Sequence, residues 1–163
     1  MIPRMNKRAL VEKIIAELEA EVASYARSAR AAQAEATDEQ SKAENKYDTR
    51  GLEASYLAHG QSRQAAETEE AIGQFRGMVL RNFEADDAID IGALVEVDRQ
   101  GEVARYFIGP RAGGTEIVHA GKTVLVITPQ SPLGQQLMGA KAGERLKIEI
   151  GGKRDACRVT AVS

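Results

Sequence analysis

At 163 residues, with 43% hydrophobic and 28% charged side chains, the chain has an ordinary soluble, globular composition and room for one or two domains. A formal net charge of −2 supplies no general excess of cations for sequence-independent attachment to phosphate, so direct nucleic-acid binding is not the expected role. There is no apolar run of about eighteen residues and no secretory leader, so a cytoplasmic protein with no membrane partner is expected.

The apolar content changes along the chain, from Ala-rich in the first half to Val- and Ile-rich in the second, which argues for two differently packed parts. Val11, Ile15, Leu18, Val22, Tyr25, Ala29, Ala32 and Ala36 recur at spacings of four and three, a heptad seam on a long helix. Charged residues such as Glu12, Lys13, Glu17 and Glu19 occupy its other faces. Ala54, Ala58, Gln61, Ala65, Thr68, Ile72, Phe75 and Val79 continue the same arithmetic on a second helix. Gly60 and Gly73 interrupt that second segment, each costing about 1 kcal/mol relative to Ala.

Facing residues of an antiparallel hairpin have position numbers of constant sum. The pairs Leu18 with Val79, Val22 with Phe75, Tyr25 with Ile72, Ala32 with Ala65 and Ala43 with Ala54 all obey one sum, placing the turn between Asp48 and Thr49. Asp48-Thr-Arg-Gly51 carries the matching turn chemistry. An arm from Leu18 to Asp48 would be about 45 Å long at about 1.5 Å per residue. Residues 1–84 therefore read as an antiparallel coiled-coil hairpin with its tip near 48–51, and Asn82 to Asp90 as a linker.

From Ile91 the period becomes two. Leu94 to Val97 and Val103 to Ile108 flank Asp98-Arg-Gln-Gly101 as a hairpin. Thr115 to His119, Thr123 to Thr128, Leu146 to Ile150 and Ala156 to Val162 read as further strands, and Pro132 to Met138 as a short helix opening at Ser131. Residues 85–163 thus form a mainly antiparallel sheet with one short helix, giving an α+β chain.

Thr128-Pro-Gln-Ser-Pro-Leu-Gly-Gln-Gln-Leu-Met-Gly-Ala-Lys-Ala-Gly-Glu144 resembles the signature of the bacterial Gre transcript-cleavage factors, the GreA/GreB family. In that signature a Ser-Pro-hydrophobic-small segment leads a short helix ending in Gly-Lys-x-x-Gly-Asp. Tyr106-Phe-Ile-Gly-Pro is similar to the family's strand before its central loop, and Ala54-Ser-Tyr-Leu-Ala to its Ala-Glu-Tyr-x-Ala on the second arm. The resemblance implies an N-terminal antiparallel coiled coil and a C-terminal FKBP-like domain. It further implies a factor of transcription elongation that docks on bacterial RNA polymerase and enters its secondary channel, with only indirect contact to nascent RNA. Cleavage-competent members lend two acidic tip residues to a second Mg²⁺ in the polymerase active site, so the chemistry is the polymerase's and the factor is no enzyme itself.

The tip departs from that pattern. The family reads Asp-x-x-Glu-Asn-Ala-Glu-Tyr, and alignment on Tyr56 puts Thr49 and Leu52 at the acidic positions, with Asp48 and Glu53 one residue outside. Asp48, Glu53 and Arg50 are the tip candidates, the two carboxylates as Mg²⁺ ligands only within a polymerase complex and with no cofactor bound to the factor alone. Ser131, Pro132, Leu133 and Gly134 are the polymerase-docking candidates.

Each has a plainer role. Asp48 would cap the second helix with Glu53 in its first turn, Arg50 would be solvated, and Ser131 and Pro132 would simply start a helix with Leu133 in the core. His59 and His119 stand at no metal-ligand spacing, and no Ser-His-Asp or Cys-His arrangement is present. Three Phe and four Tyr scarcely supply the aromatic lining of an isomerase pocket. The single Cys157 reads as a buried small apolar side chain and agrees with a reducing compartment.

Three functions stay open: a monomeric elongation factor that assists cleavage of backtracked RNA, a Gre-like regulator or competitor without cleavage, and a coiled-coil oligomerisation protein.

Overall fold

The computed structural model describes residues 5–37 and 50–163. Two long helices, α1 (Lys7–Thr37) and α2 (Arg50–Arg76), form a helical hairpin. They are followed by β1 (Leu94–Arg99), β2 (Glu102–Ile108), β3 (Glu116–His119), β4 (Lys122–Ile127), α3 (Pro132–Leu137), β5 (Arg145–Ile150) and β6 (Lys153–Val162). The chain divides into two compact units, Ile15–Gly73 and Met1–Ile14 with Gln74–Ser163.

In the helical unit the heptad positions are the ones removed from solvent. Leu18, Ala29 and Ala32 of α1 are buried, and Ile15, Val22, Tyr25 and Ala36 are half-buried. On α2, Ala54, Ala58 and Ile72 are buried and Gln61, Ala65 and Thr68 half-buried, while the intervening Glu, Arg and Gln side chains are exposed. Shielding at these positions is the physical content of a 3.5-residue repeat. α2 runs through both Gly60 and Gly73, whose open surroundings reflect positions on its exposed side. The turn at Asp48–Thr49 and the Ala43–Ala54 pair lie outside the described residues.

One expected seam pair fails. α2 stops at Arg76, and Val79 is 91% exposed, so it is not a buried seam residue. Gly77 follows the last helical residue, and the Met78 N–H donates to the Phe75 carbonyl at 3.3 Å, closing the helix in a turn. Periodicity had continued past the point where glycine makes the helical backbone costly.

In the sheet unit the strand order is β3-β4-β2-β1-β6-β5. Four pairings are antiparallel, as a mainly antiparallel sheet requires, and β2–β4 is parallel. The reason lies in side chains. β4 is apolar on both faces, with Val124 and Val126 on one and Leu125 and Ile127 on the other, and belongs inside a sheet. β3 exposes Glu116 and Val118 and takes the edge. The tight Ala120–Gly121 turn, with φ of 51° and 73°, ties the two together. Once β4 is the inner member, its direction matches that of β2.

One sheet face packs Val95, Val97, Tyr106, Ile108, Ile148, Cys157 and Val159 against α3. Phe83 and Ile89, from the stretch expected as a linker, are each 1% exposed and complete that core. Ile89 is fixed by backbone hydrogen bonds to Ala140 at 2.8 Å and from Gly139 at 3.0 Å. The opposite face carries Phe107, Val124 and Val126, and Phe75 packs there. A Cβ on Gly109 would stand 3.0 Å from both the Phe75 ring and Val126, so Gly109 makes this approach possible.

Asn6 caps α1 by accepting the Ala9 N–H at 3.1 Å. Lys7, only 8% exposed, donates to the carbonyls of Arg81, Gly92 (2.8 Å) and Ser163 (3.1 Å). Its ammonium lies 4.8 Å from the Phe83 ring centroid, and the Arg81 guanidinium 3.8 Å from it. No described helix is long and apolar enough to cross a membrane.

Candidate functional site

The first candidate region is the start of α2. Asp48 lies outside the described residues, and Arg50 is the first residue of the helix. Glu53 occupies the first turn of α2, next to the buried seam residue Ala54, and is exposed. That places a carboxylate where the unsatisfied N–H groups of a helix N-terminus favour negative charge. Leu52, which the family pattern would make acidic, is 54% exposed. The described donor set here is therefore one carboxylate. Mg²⁺ keeps several waters and takes one or two carboxylates together with phosphate oxygens, so Glu53 fits such an ion only as a partial ligand completed by another macromolecule. Among the described residues no group of three or more His, Cys, Asp or Glu converges as a metal site.

The second region is the turn into α3, and its construction follows from a few residues. Ser131 has extended backbone angles, φ −65° and ψ 155°, and accepts the Gly134 N–H at 3.0 Å as the helix cap. Its hydroxyl donates to the Thr128 carbonyl at 2.7 Å, so both hydrogen-bonding capacities are used locally. Pro132 sits in the first turn, where its missing N–H has no cost. Gly134 is dictated by space: an added Cβ would lie 1.8 Å from the Thr128 carbonyl oxygen. Leu133 packs against the core, and Leu137 is fully buried in it.

Of the four docking candidates, Pro132 alone is exposed, flanked by exposed Gln130 and Gln135, whose side-chain amide donates to the Gln130 carbonyl at 3.0 Å. The result is a rigid, uncharged projection, suited to shape-based contact and without acid or base groups.

A residue the sequence reading passed over holds α3 in place. The Gln136 amide donates to the Glu149 carbonyl at 3.2 Å and accepts the Glu149 N–H at 2.8 Å, meeting the edge strand β5 as another strand would. Nothing in its local sequence distinguishes it from Gln135. Lys7 was likewise missed, and its only local signal is a lysine just inside the helix cap.

On the sheet face bearing Phe107, a cavity of about 410 Å³ is lined by Met5, Leu94, Glu96, Arg105, Lys122 and Thr160, among others, and by no aromatic side chain. Arg105 pairs with Glu96 at 3.4 Å within it. On the core face, burial pushes the Tyr106 phenol above its ordinary value, with the Arg99 cation opposing. Burial likewise pushes the Cys157 thiol up, against the Leu146 backbone hydrogen bond and Arg99. A buried thiol held protonated is a packing group and a poor nucleophile. His119 is buried on β3, and its Nδ1 has no hydrogen-bond partner.

No protein-family model and no curated protein matches the chain. Among solved structures, it is similar to the GreA factor homolog 1 (Gfh1) protein of Thermus thermophilus, at 21% identity over 94% of both chains and a TM-score of 0.39. Thermus aquaticus Gfh1 gives 22% identity over 93% of this chain and 92% of that one, with a TM-score of 0.40. The prokaryotic transcription elongation factor GreA/GreB from Nitrosomonas europaea gives 16% identity, 72% and 95% coverage, and a TM-score of 0.36. At these identities and TM-scores the likeness carries no argument by itself.

Proposed function

We propose that this chain is a Gre-like transcription elongation factor that binds bacterial RNA polymerase and inserts the hairpin tip into its secondary channel. The observation that carries the reading is the heptad seam of α1 and α2, shielded at the expected positions, in one chain with the Ser131-capped turn. A narrow two-helix arm can enter a channel closed to a globular unit. The Pro132 projection, held by Ser131, Gly134 and Gln136, is the docking element.

The tip supports action on the polymerase without delivery of the usual two carboxylates. Leu52 stands exposed where the pattern asks for an acid, and a hydrocarbon side chain offers no ligand to a hard cation. Glu53 with Asp48 provides the alternative, in which the pair lends oxygen ligands to a Mg²⁺ that activates water in the polymerase site. The factor itself performs no bond-breaking step in either case.

Purified polymerase halted in a backtracked complex separates these outcomes. The expected result is saturable binding, slowed elongation and no shortening of the RNA at saturating factor. RNA shortening that disappears in Glu53→Gln would establish the metal-assisting mechanism, and failure to bind polymerase would overturn the proposal.

A further inference from the structure

The chain is net acidic, yet β5 and β6 gather cations on one face. Strand alternation sends Leu146, Ile148, Cys157 and Val159 inward, and Arg145, Lys147, Arg154 and Arg158 outward, all four exposed. Register then sets Arg145 directly opposite Arg158, with Lys147 opposite Ala156 and Arg154 opposite Glu149. Like charges facing each other across an antiparallel pair oppose folding. Arg63, Arg81, Arg99 and Arg105 each have a carboxylate partner. Among the described residues none of the four outward side chains has an ion pair or a side-chain hydrogen bond to a protein group. Asp98 on β1 stands directly opposite Arg158, and its Oδ1 accepts the Gly101 N–H at 2.8 Å.

We propose that this face of β5 and β6 binds the phosphate backbone of a polynucleotide without reading its sequence. Same-face residues repeat about every 6.8 Å along a strand, so the cations stand in two short rows along which an extended polyanion can lie. The face carries no aromatic side chain for base stacking, which removes the main means of gripping or distinguishing bases. It also lacks the apolar centre that a stable protein interface requires, so an acidic protein partner is the less fitting occupant. Ala156, small and central, lets a backbone approach closely. This inference is independent of the polymerase reading, because it concerns the factor and free nucleic acid alone.

The test is fluorescence anisotropy of the full chain with a labelled mixed-sequence single-stranded RNA. Four phosphate contacts predict a log–log salt slope of about −3, or about fifty-fold weaker binding at 200 mM than at 50 mM salt. The double variant Arg145→Glu, Arg158→Glu should bind at least tenfold more weakly with a flatter slope. The single variant Arg145→Glu converts a like-charge pair into an opposite-charge one, so its melting midpoint should hold or rise while its affinity falls, which separates lost binding from lost folding. Absence of binding at 50 mM salt, unchanged affinity in the double variant, or equal competition by polyglutamate would each overturn the proposal.

Discussion

Replacing Gly134 by Ala tests whether the Ser-Pro-Leu-Gly segment is built by close packing. The added Cβ would meet the Thr128 carbonyl oxygen at 1.8 Å and Ser131 Oγ at 2.8 Å, against 3.4–4 Å for ordinary contact. Relief requires the Thr128 carbonyl and the first turn of α3 to separate by more than an ångström. That separation strains a turn held on one side by Ile89 hydrogen bonds to Gly139 and Ala140, and on the other by Gln136 on β5. Overpacking of this kind costs about 1–3 kcal/mol. Misaligning the Ser131 cap adds about 1 kcal/mol. The sum, about 2–4 kcal/mol, is a large share of a typical stability of about 5–15 kcal/mol. At about 2–4 °C per kcal/mol for a chain of this size, scanning calorimetry should show a melting point lowered by about 5–15 °C. Ser131→Ala, which removes the cap without a clash, should lower it by only about 2–4 °C. A Gly134→Ala protein melting within 2 °C of the parent would refute the packing account and leave that glycine without a structural reason.

Gly60→Ala should stabilise the helical unit by about 1 kcal/mol, because α2 is helical there and a Cβ at Gly60 has no atom within 4 Å; urea denaturation followed by circular dichroism checks it. Tyr106 gives a pH signature. Its phenol is raised in the folded state by burial, so the folded chain holds the proton that the unfolded chain releases at its ordinary value of about 10. That contribution to stability is complete below the unfolded value and is lost as pH rises through the folded one. Tyr106→Phe should lose less stability than the parent between neutral and strongly alkaline pH, as measured by denaturant midpoints.

The helical seam was legible because its signal is local and repeated. Each apolar residue from Val11 to Ala36 names its face by spacing alone, and Leu18, Ala29, Ala32, Ala54 and Ala58 are buried accordingly. The same signal overran at Val79, since a heptad count does not register where the backbone stops being helical. The hairpin turns were legible for a related reason: Asp98 to Gly101 and Gly151–Gly152 carry turn chemistry in their own residues.

What was not legible depends on partners distant in the chain. Phe83 and Ile89 sit in a polar stretch that reads as a linker, and only the sheet they pack against makes them core. Gln136 and Gln135 are indistinguishable until β5 comes to lie beside one of them. The requirement for glycine at 134 is of the same kind, because the Thr128 carbonyl oxygen that a Cβ would meet lies before α3 and comes close only when the turn has folded.

The amino-acid sequence by itself determined the two long amphipathic helices, the change to strand periodicity at Ile91 and the cap of α3. Each depends on interactions within a few residues, where spacing and side-chain type suffice. Only the tertiary structure decided that β4 lies inside the sheet, parallel to β2, with β3 at the edge. It likewise decided that Lys7 gathers three carbonyls from three segments, and that Arg145 faces Arg158 across β5 and β6. Those outcomes are set by which surfaces can be buried together, a competition among all the segments at once, and no window of sequence contains its terms.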